Sequence, residues 1–148
     1  QGRRRPVIYI DSCALVKLIR DEDGSAALQA WLDERADELV VTSELAQAEV
    51  RRAVRRSNHT DQGALIDADD LASELAEADD LLTAVSQISV DLELMERAGA
   101  LEAPMVRTLD AIHLVSALEL PSTVEFVTYD QRLAAIARAA GLTVISPS

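Results

Sequence analysis

Val7-Ile8-Tyr9-Ile10 is a run of four apolar residues, three of them β-branched, closed by Asp11-Ser12. A short run with no polar alternation is what a strand buried on both faces looks like, and such strands belong to parallel sheets covered by helices. The residues that follow support this reading. Ala14, Leu15, Leu18 and Ile19 recur at helical spacing, Asp21-Glu22-Asp23-Gly24 stops that helix, and Ala27, Leu28, Trp31 and Leu32 form the stripe of a second one.

Further along, strand and helix patterns alternate. Leu39-Val40-Val41-Thr42 reads as a strand, with Ser43 as the N-cap of a helix running to about Arg56. Residues 61–82 read as a long amphipathic helix or helix pair, with Leu65, Ala68, Ala72, Leu75 and Leu82 on one side. Ile88-Ser89-Val90 reads as a third strand, 92–98 as a short helix, and 105–118 as a helix apolar on nearly every face. Val124 to Tyr129 is a fourth strand, 131–140 a helix with Gly141 as its C′ residue, and Leu142 to Ile145 a last strand. Alternation of this kind implies an α/β fold: one central, mainly parallel sheet of about five strands with helices on both faces. No linker, repeat or low-complexity segment interrupts it, so residues 1–148 read as one domain. Residues 1–5 are expected to be a flexible N-terminus, with Gln1-Gly2 an expression remnant.

Composition narrows the function. Hydrophobic residues make up 49% and aromatics only 3% of the 148 residues, so the core is aliphatic and a base-stacking surface is not expected. Cys13 is the sole cysteine, which rules out an internal disulfide and a cysteine-built zinc site and suits a cytoplasmic protein. It reads as a small core residue. No apolar run reaches the roughly 20 residues that span a bilayer, and the N-terminus is too short for a secretory signal. The net charge of −12 argues against simple, tight, non-specific binding of nucleic acid. It suits a protein that uses carboxylates to hold metal, or one held by a basic partner.

Four acids stand where acids are costly. Asp11 and Asp130 directly follow the first and fourth strands, and ligands of open α/β sheets bind outside the carboxyl ends of strands. Each has an ordinary alternative role as a helix N-cap. Glu49 lies between Ala46, Val50 and Ala53 on or beside a buried stripe; its alternative is an ion pair with Arg52 or Arg56. Asp110 stands within the apolar helix and needs a partner there, either a cation, a buried arginine or His113. Gathered together, the four would repel one another and some would stay protonated. A hard divalent cation, Mg²⁺ or Mn²⁺, removes the conflict and makes water nucleophilic enough to attack a phosphodiester.

The segments around these acids resemble the PIN-domain family, and within it the VapC toxins. They are Val7-Ile8-Tyr9-Ile10-Asp11-Ser12, Ser43-Glu44-Leu45-Ala46-Gln47-Ala48-Glu49-Val50, Leu109-Asp110-Ala111-Ile112-His113-Leu114 and Val127-Thr128-Tyr129-Asp130-Gln131-Arg132-Leu133-Ala134. They come in the family's order and span nearly the whole chain. The resemblance implies a three-layer α/β/α fold, Mg²⁺- or Mn²⁺-dependent RNA cleavage, a homodimer and a VapB-type antitoxin. It implies Asp11 and Asp110 as the main metal ligands, with Glu49 completing the first site or orienting its water. Asp130 would serve a second metal or the catalytic water, and Ser12 and Thr128 would be supporting hydroxyls.

Arg51, Arg52, Arg55 and Arg56 form a basic strip past Glu49 that could hold RNA phosphates or be a solvated helix face. His113 reads as a structural neighbour of Asp110. Two other readings compete. One is a PIN-like binding module acting with an antitoxin as a transcriptional co-repressor, against which the four intact acids count. The other is an aspartate-nucleophile phosphatase, which would want a second acid where Cys13 stands. A dinucleotide-binding role fails for lack of a glycine-rich turn after the first strand.

Overall fold

The computed structural model describes residues 6–148; the expectation for residues 1–5 lies outside them. Five strands form one sheet: β1 (Val7–Ile10), β2 (Val40–Ser43), β3 (Ser86–Ile88), β4 (Val124–Val127) and β5 (Thr143–Ile145). Their order is β3-β2-β1-β4-β5, and every pairing is parallel. β1 is therefore central, and all four of its residues are buried.

Alternate side chains of β1 point to opposite layers. Ile8 and Ile10 join a core formed with α1 (Ser12–Lys17), α2 (Ser25–Asp33), α3 (Ala46–Ser57) and α4 (Ala68–Ala84), through Leu15, Leu28, Val50 and Leu82. Val7 and Tyr9 join the other, where α6 (Thr108–Leu118) and α7 (Gln131–Ala139) supply Leu114, Ala117, Leu133 and Ala137. A third cluster, Leu94, Ile112 and Val115, packs α5 (Leu92–Gly99) on α6. The result is the expected α/β/α sandwich. Its strand order reverses at β1, where connections leave to β2 on one side and β4 lies on the other, so a crevice opens above the ends of β1 and β4.

Several boundaries differ from the sequence expectations. Ser43 does not cap α3. It is the last residue of β2, paired with Ile88, and its hydroxyl accepts from the Leu45 amide at 3.1 Å in a tight turn. α3 therefore starts at Ala46, which moves Glu49 into its first turn. Residues 61–67 are not helical. A loop closed by the His59–Leu65 bridge precedes α4, Leu65 is exposed rather than striped, and Asp67 caps the helix by accepting from the Asp69 and Asp70 amides. β3 lies at 86–88 instead of 88–90 because its register is set by β2, with Val41 opposite Ser86. α6 begins at Thr108, not 105. Gly141 takes the C′ position with φ 96°, while its amide bonds Arg138 and that of Leu142 bonds Ala137, the paired closure of a Schellman motif.

Candidate active site

Each of the four acids occupies the N-terminal end of a different helix. Asp11 is the N-cap of α1, its Oδ1 accepting from the Ala14 amide at 2.9 Å. Asp130 is the N-cap of α7, accepting from the Leu133 amide at 3.0 Å. Glu49 and Asp110 lie in the first turns of α3 and α6. The positive end of each helix dipole favours a carboxylate there, so the backbone offsets part of the mutual repulsion. Capping occupies one oxygen of Asp11 and one of Asp130.

Asp110 lies in the field of Asp130 and Glu49, and Asp11 in that of Asp110. Burial pushes the Asp11 pKa up and Asp110 adds to it, while the Thr128 hydroxyl, the Ala14 amide and His113 oppose the rise. Burial also raises Asp110, followed by Asp130 and Glu49, against His113 and Arg107. Cys13 senses all four: partial desolvation and then the charges of Asp11, Glu49, Asp110 and Asp130 push its thiol up to about 11. Far from being a small core residue, Cys13 is exposed, because α1 turns this face toward the crevice. There it lines a cavity of ≈ 430 Å³ with Ser12, Glu49 and Arg52.

Glu49 is held from below. Ser12 donates to its Oε1 at 2.7 Å and His113 Nε2 lies 2.8 Å from the same oxygen. Burial pushes Glu49 up, but the hydrogen bond and charge of His113 and the bond from Ser12 outweigh it and hold its carboxyl below the ordinary value. A carboxylate only accepts, so Nε2 carries the proton. The other ring nitrogen, Nδ1, lies 2.6 Å from the Tyr9 hydroxyl. Tyr9 is itself stacked on Phe126 at 5.3 Å. His113 is thus not the partner of Asp110 but the link between the core and Glu49. Sequence spacing favours the i, i+3 neighbour; the sheet supplies a closer one across 64 residues.

Thr128 is fully buried beside Asp11, and its oxygen accepts from the Asp130 amide at 3.2 Å. Glu49 makes no pair with Arg52 or Arg56. Arg51 is committed elsewhere, to Asp79 at 2.8 Å and to Gln47, whereas Arg52, Arg55 and Arg56 stay exposed. A second cavity, of ≈ 590 Å³, is bordered by Asp110 and Asp130 together with Arg107 and Arg132. The sequence reading missed these two arginines, although Arg132 lies inside a quoted segment; nothing in the spacing tells a cleft-facing arginine from a solvated one.

The chain matches the PIN domain over residues 8–139. It belongs to the PIN-domain family. Its relatives place it among the VapC proteins. It is 35% identical to ribonuclease VapC35 of Mycobacterium tuberculosis over 144 residues, covering 95% of this chain and 97% of that one. It is 37% identical to ribonuclease VapC46 of the same organism over 142 residues, covering 95% and 98%. Solved PIN-domain structures share the fold. VapC20 of M. tuberculosis, a sarcin–ricin loop cleaving toxin, superposes with a TM-score of 0.68 at 17% identity over 95% of this chain and 99% of that one. VapBC2 of Rickettsia felis, solved bound to a DNA fragment from its promoter, gives 0.63 at 15% identity over 96% and 100%.

As a donor set, four carboxylates of a PIN domain suit a hard, oxygen-seeking divalent cation. Among the described residues no three His, Cys, Asp or Glu side chains converge closely enough to form a ready-made cage.

Proposed function

We propose that this chain is a Mg²⁺-dependent ribonuclease, with Mn²⁺ as a substitute ion, acting as the toxin of a toxin–antitoxin pair. The observation that supports the reading is the charge that all four acids, Asp11, Glu49, Asp110 and Asp130, exert on Cys13 beside the cleft, in a chain 35–37% identical to VapC ribonucleases along nearly its full length. Asp11 and Asp110 are the ion's main ligands in this reading. Glu49, fixed by Ser12 and His113, completes the site or orients the attacking water. Asp130 serves a second ion or that water, and Thr128 steadies Asp11. The ion supplies nucleophilic water near neutral pH and neutralises phosphate charge.

The histidines support hydrolysis without the RNA 2′-hydroxyl. His113 has both ring nitrogens engaged in the core, and His59 is turned to the Arg55 carbonyl. Neither is free to act as the acid–base pair of a metal-free ribonuclease.

The partner is a VapB-type antitoxin, a reading supported by the VapBC nature of one structural neighbour. A homodimer accords with exposed Leu92, Met95, Leu109 and Leu118 on α5 and α6. No helix of the described residues is long and apolar enough to cross a membrane, and a cytoplasmic site of action is proposed from the lone cysteine and the RNA substrate. The co-repressor module is the weaker reading, since all four acids are present.

The test is incubation of the purified protein with total RNA in Mg²⁺ or chelator, with the cut ends mapped. Cleavage is expected only with the ion, leaving 5′-phosphate and 3′-hydroxyl ends. It should survive a single 2′-deoxy substitution at the cut site, unless recognition reads that hydroxyl. Cyclic-phosphate ends, or full activity in chelator, would overturn the mechanism.

A further inference from the structure

The chain has 14 basic residues against 26 acidic ones, so a surface arginine has carboxylates to choose from. Away from the active site the basic residues do find them. Lys17 pairs with Glu22, Arg20 with Glu74, Arg35 with Glu38, Arg51 with Asp79 and Arg97 with Glu119. Six arginines make no ion pair with any described residue: Arg52, Arg55, Arg56, Arg107, Arg132 and Arg138. Five of the six border a cavity that also contains one of the four acids. Arg52 and Arg56 share theirs with Glu49, Arg107 and Arg132 with Asp110 and Asp130, and Arg138 with Asp130. Arg55 lies beside Arg52 and Arg56 in the adjoining cavity of ≈ 410 Å³. Among the described residues, unpaired guanidinium groups thus gather around the acids, while the other cations, Lys17, Arg20, Arg35, Arg51 and Arg97, are ion-paired.

We propose that these arginines hold the backbone phosphates of single-stranded RNA on either side of the scissile bond, Arg52 and Arg56 on the α3 side and Arg107 and Arg132 on the α6–α7 side. The inference rests on the ribonuclease reading. It accounts for RNA binding by a chain of net charge −12: the attraction is local, in two cavities that share no lining residue, one holding Glu49 and the other Asp110 and Asp130. An unpaired guanidinium has no existing ion pair to break before it takes a phosphate, and its fork matches two phosphate oxygens. With aromatics at 3% of the chain, the strand is held by its backbone rather than by stacked bases.

The experiment compares three double variants, each built with Asp110→Asn so that RNA is not consumed: R52Q/R56Q, R107Q/R132Q and, as a control, R51Q/R97Q. Binding of a fluorescent single-stranded RNA is measured in Mg²⁺ across a salt series, with far-UV circular dichroism confirming the fold of each. Each of the first two pairs should weaken binding about tenfold at low salt. Each should also flatten the slope of log K against log salt by about 1.4, roughly 0.7 for each phosphate contact removed. The control should match the Asp110→Asn parent. Equal losses in all three pairs would reduce the effect to net charge and overturn the proposal. So would RNA binding unchanged in the first two pairs, and if those pairs instead lost a VapB-type antitoxin, the arginines would belong to a protein interface. A native chain that leaves RNA uncut defeats the ribonuclease reading, whereas a native chain that cuts RNA alongside variants that bind normally defeats only this one.

Discussion

Asp110 and Asp11 both titrate above the ordinary aspartate value of 3.8 in the folded chain. The folded state therefore keeps protons that the unfolded state has released, and the resulting stability is full below about 3.8 and lost as pH climbs through the raised values. Glu49 runs the other way: its lowered pKa contributes stability above 4.5 that is lost as pH falls through the lowered value. Removing one charge from the crowd should help the metal-free protein near neutral pH. In chelator at pH 7, Asp110→Asn is expected to melt above the parent by about 2–4 °C, with the gap closing toward pH 4, while cleavage is lost. A lower melting point at pH 7 would make Asp110 a structural residue. Cys13 offers an independent reading of the same field. Its thiol is pushed up to about 11 partly by the four acids, so a cation settling among them should lower it and speed alkylation. As the chain's only cysteine, it can be followed by mass. An alkylation rate indifferent to Mg²⁺ would place the ion elsewhere.

At the scale of elements, α6 shows what spacing can and cannot reveal. Its run of apolar residues marks it as central, and Ala111 to Ala117 are all buried. The same run disguises its beginning: Asp110 reads as an acid deep in a helix but lies in the first turn, because the helix starts at Thr108. His113, three residues on, points into the sheet, where Tyr9 of β1 and Glu49 of α3 take its two nitrogens. No local pattern names those partners, since they come from 104 and 64 residues away. Tyr9→Phe keeps the ring stack on Phe126 and removes only the hydroxyl. It is expected to cost about 1–3 kcal/mol, the penalty of a buried hydrogen bond left half made, measured by urea unfolding. It should also lower kcat with KM little changed, because His113 loses its anchor and Glu49 its fixed orientation. Unaltered kcat at reduced stability would confine this chain of bonds to a packing role. β3 illustrates another limit. Ile88-Ser89-Val90 has the stronger β propensity, but pairing to β2 selects Ser86–Ile88, and register is a property of two strands.

For the whole molecule, the parallel sheet and the placement of two acids were legible because both depend on short patterns: an apolar run, then an acid, then a helix. The placement of the other two, on apolar helix faces, suggested a common site, but how near the four acids lie depends on which strands become neighbours, and no short pattern specifies that. The arginines around the site were not legible beyond Arg52, Arg55 and Arg56, because a cation's role depends on whether an acid lies within reach, and that is decided by the fold. The central position of β1 also has a consequence for synthesis. Its residues 7–10 are made well before their partner β4 at 124–127, and Asp130 follows β4. Pairing so distant in sequence is the slow, late kind. A chain released before about residue 124 has neither the second neighbour of β1 nor the fourth acid. The site of an enzyme that cuts RNA is thus completed only after β4 and Asp130 have been made, and a product that stops short of them lacks both the sheet pairing and one of the acids the site is built from.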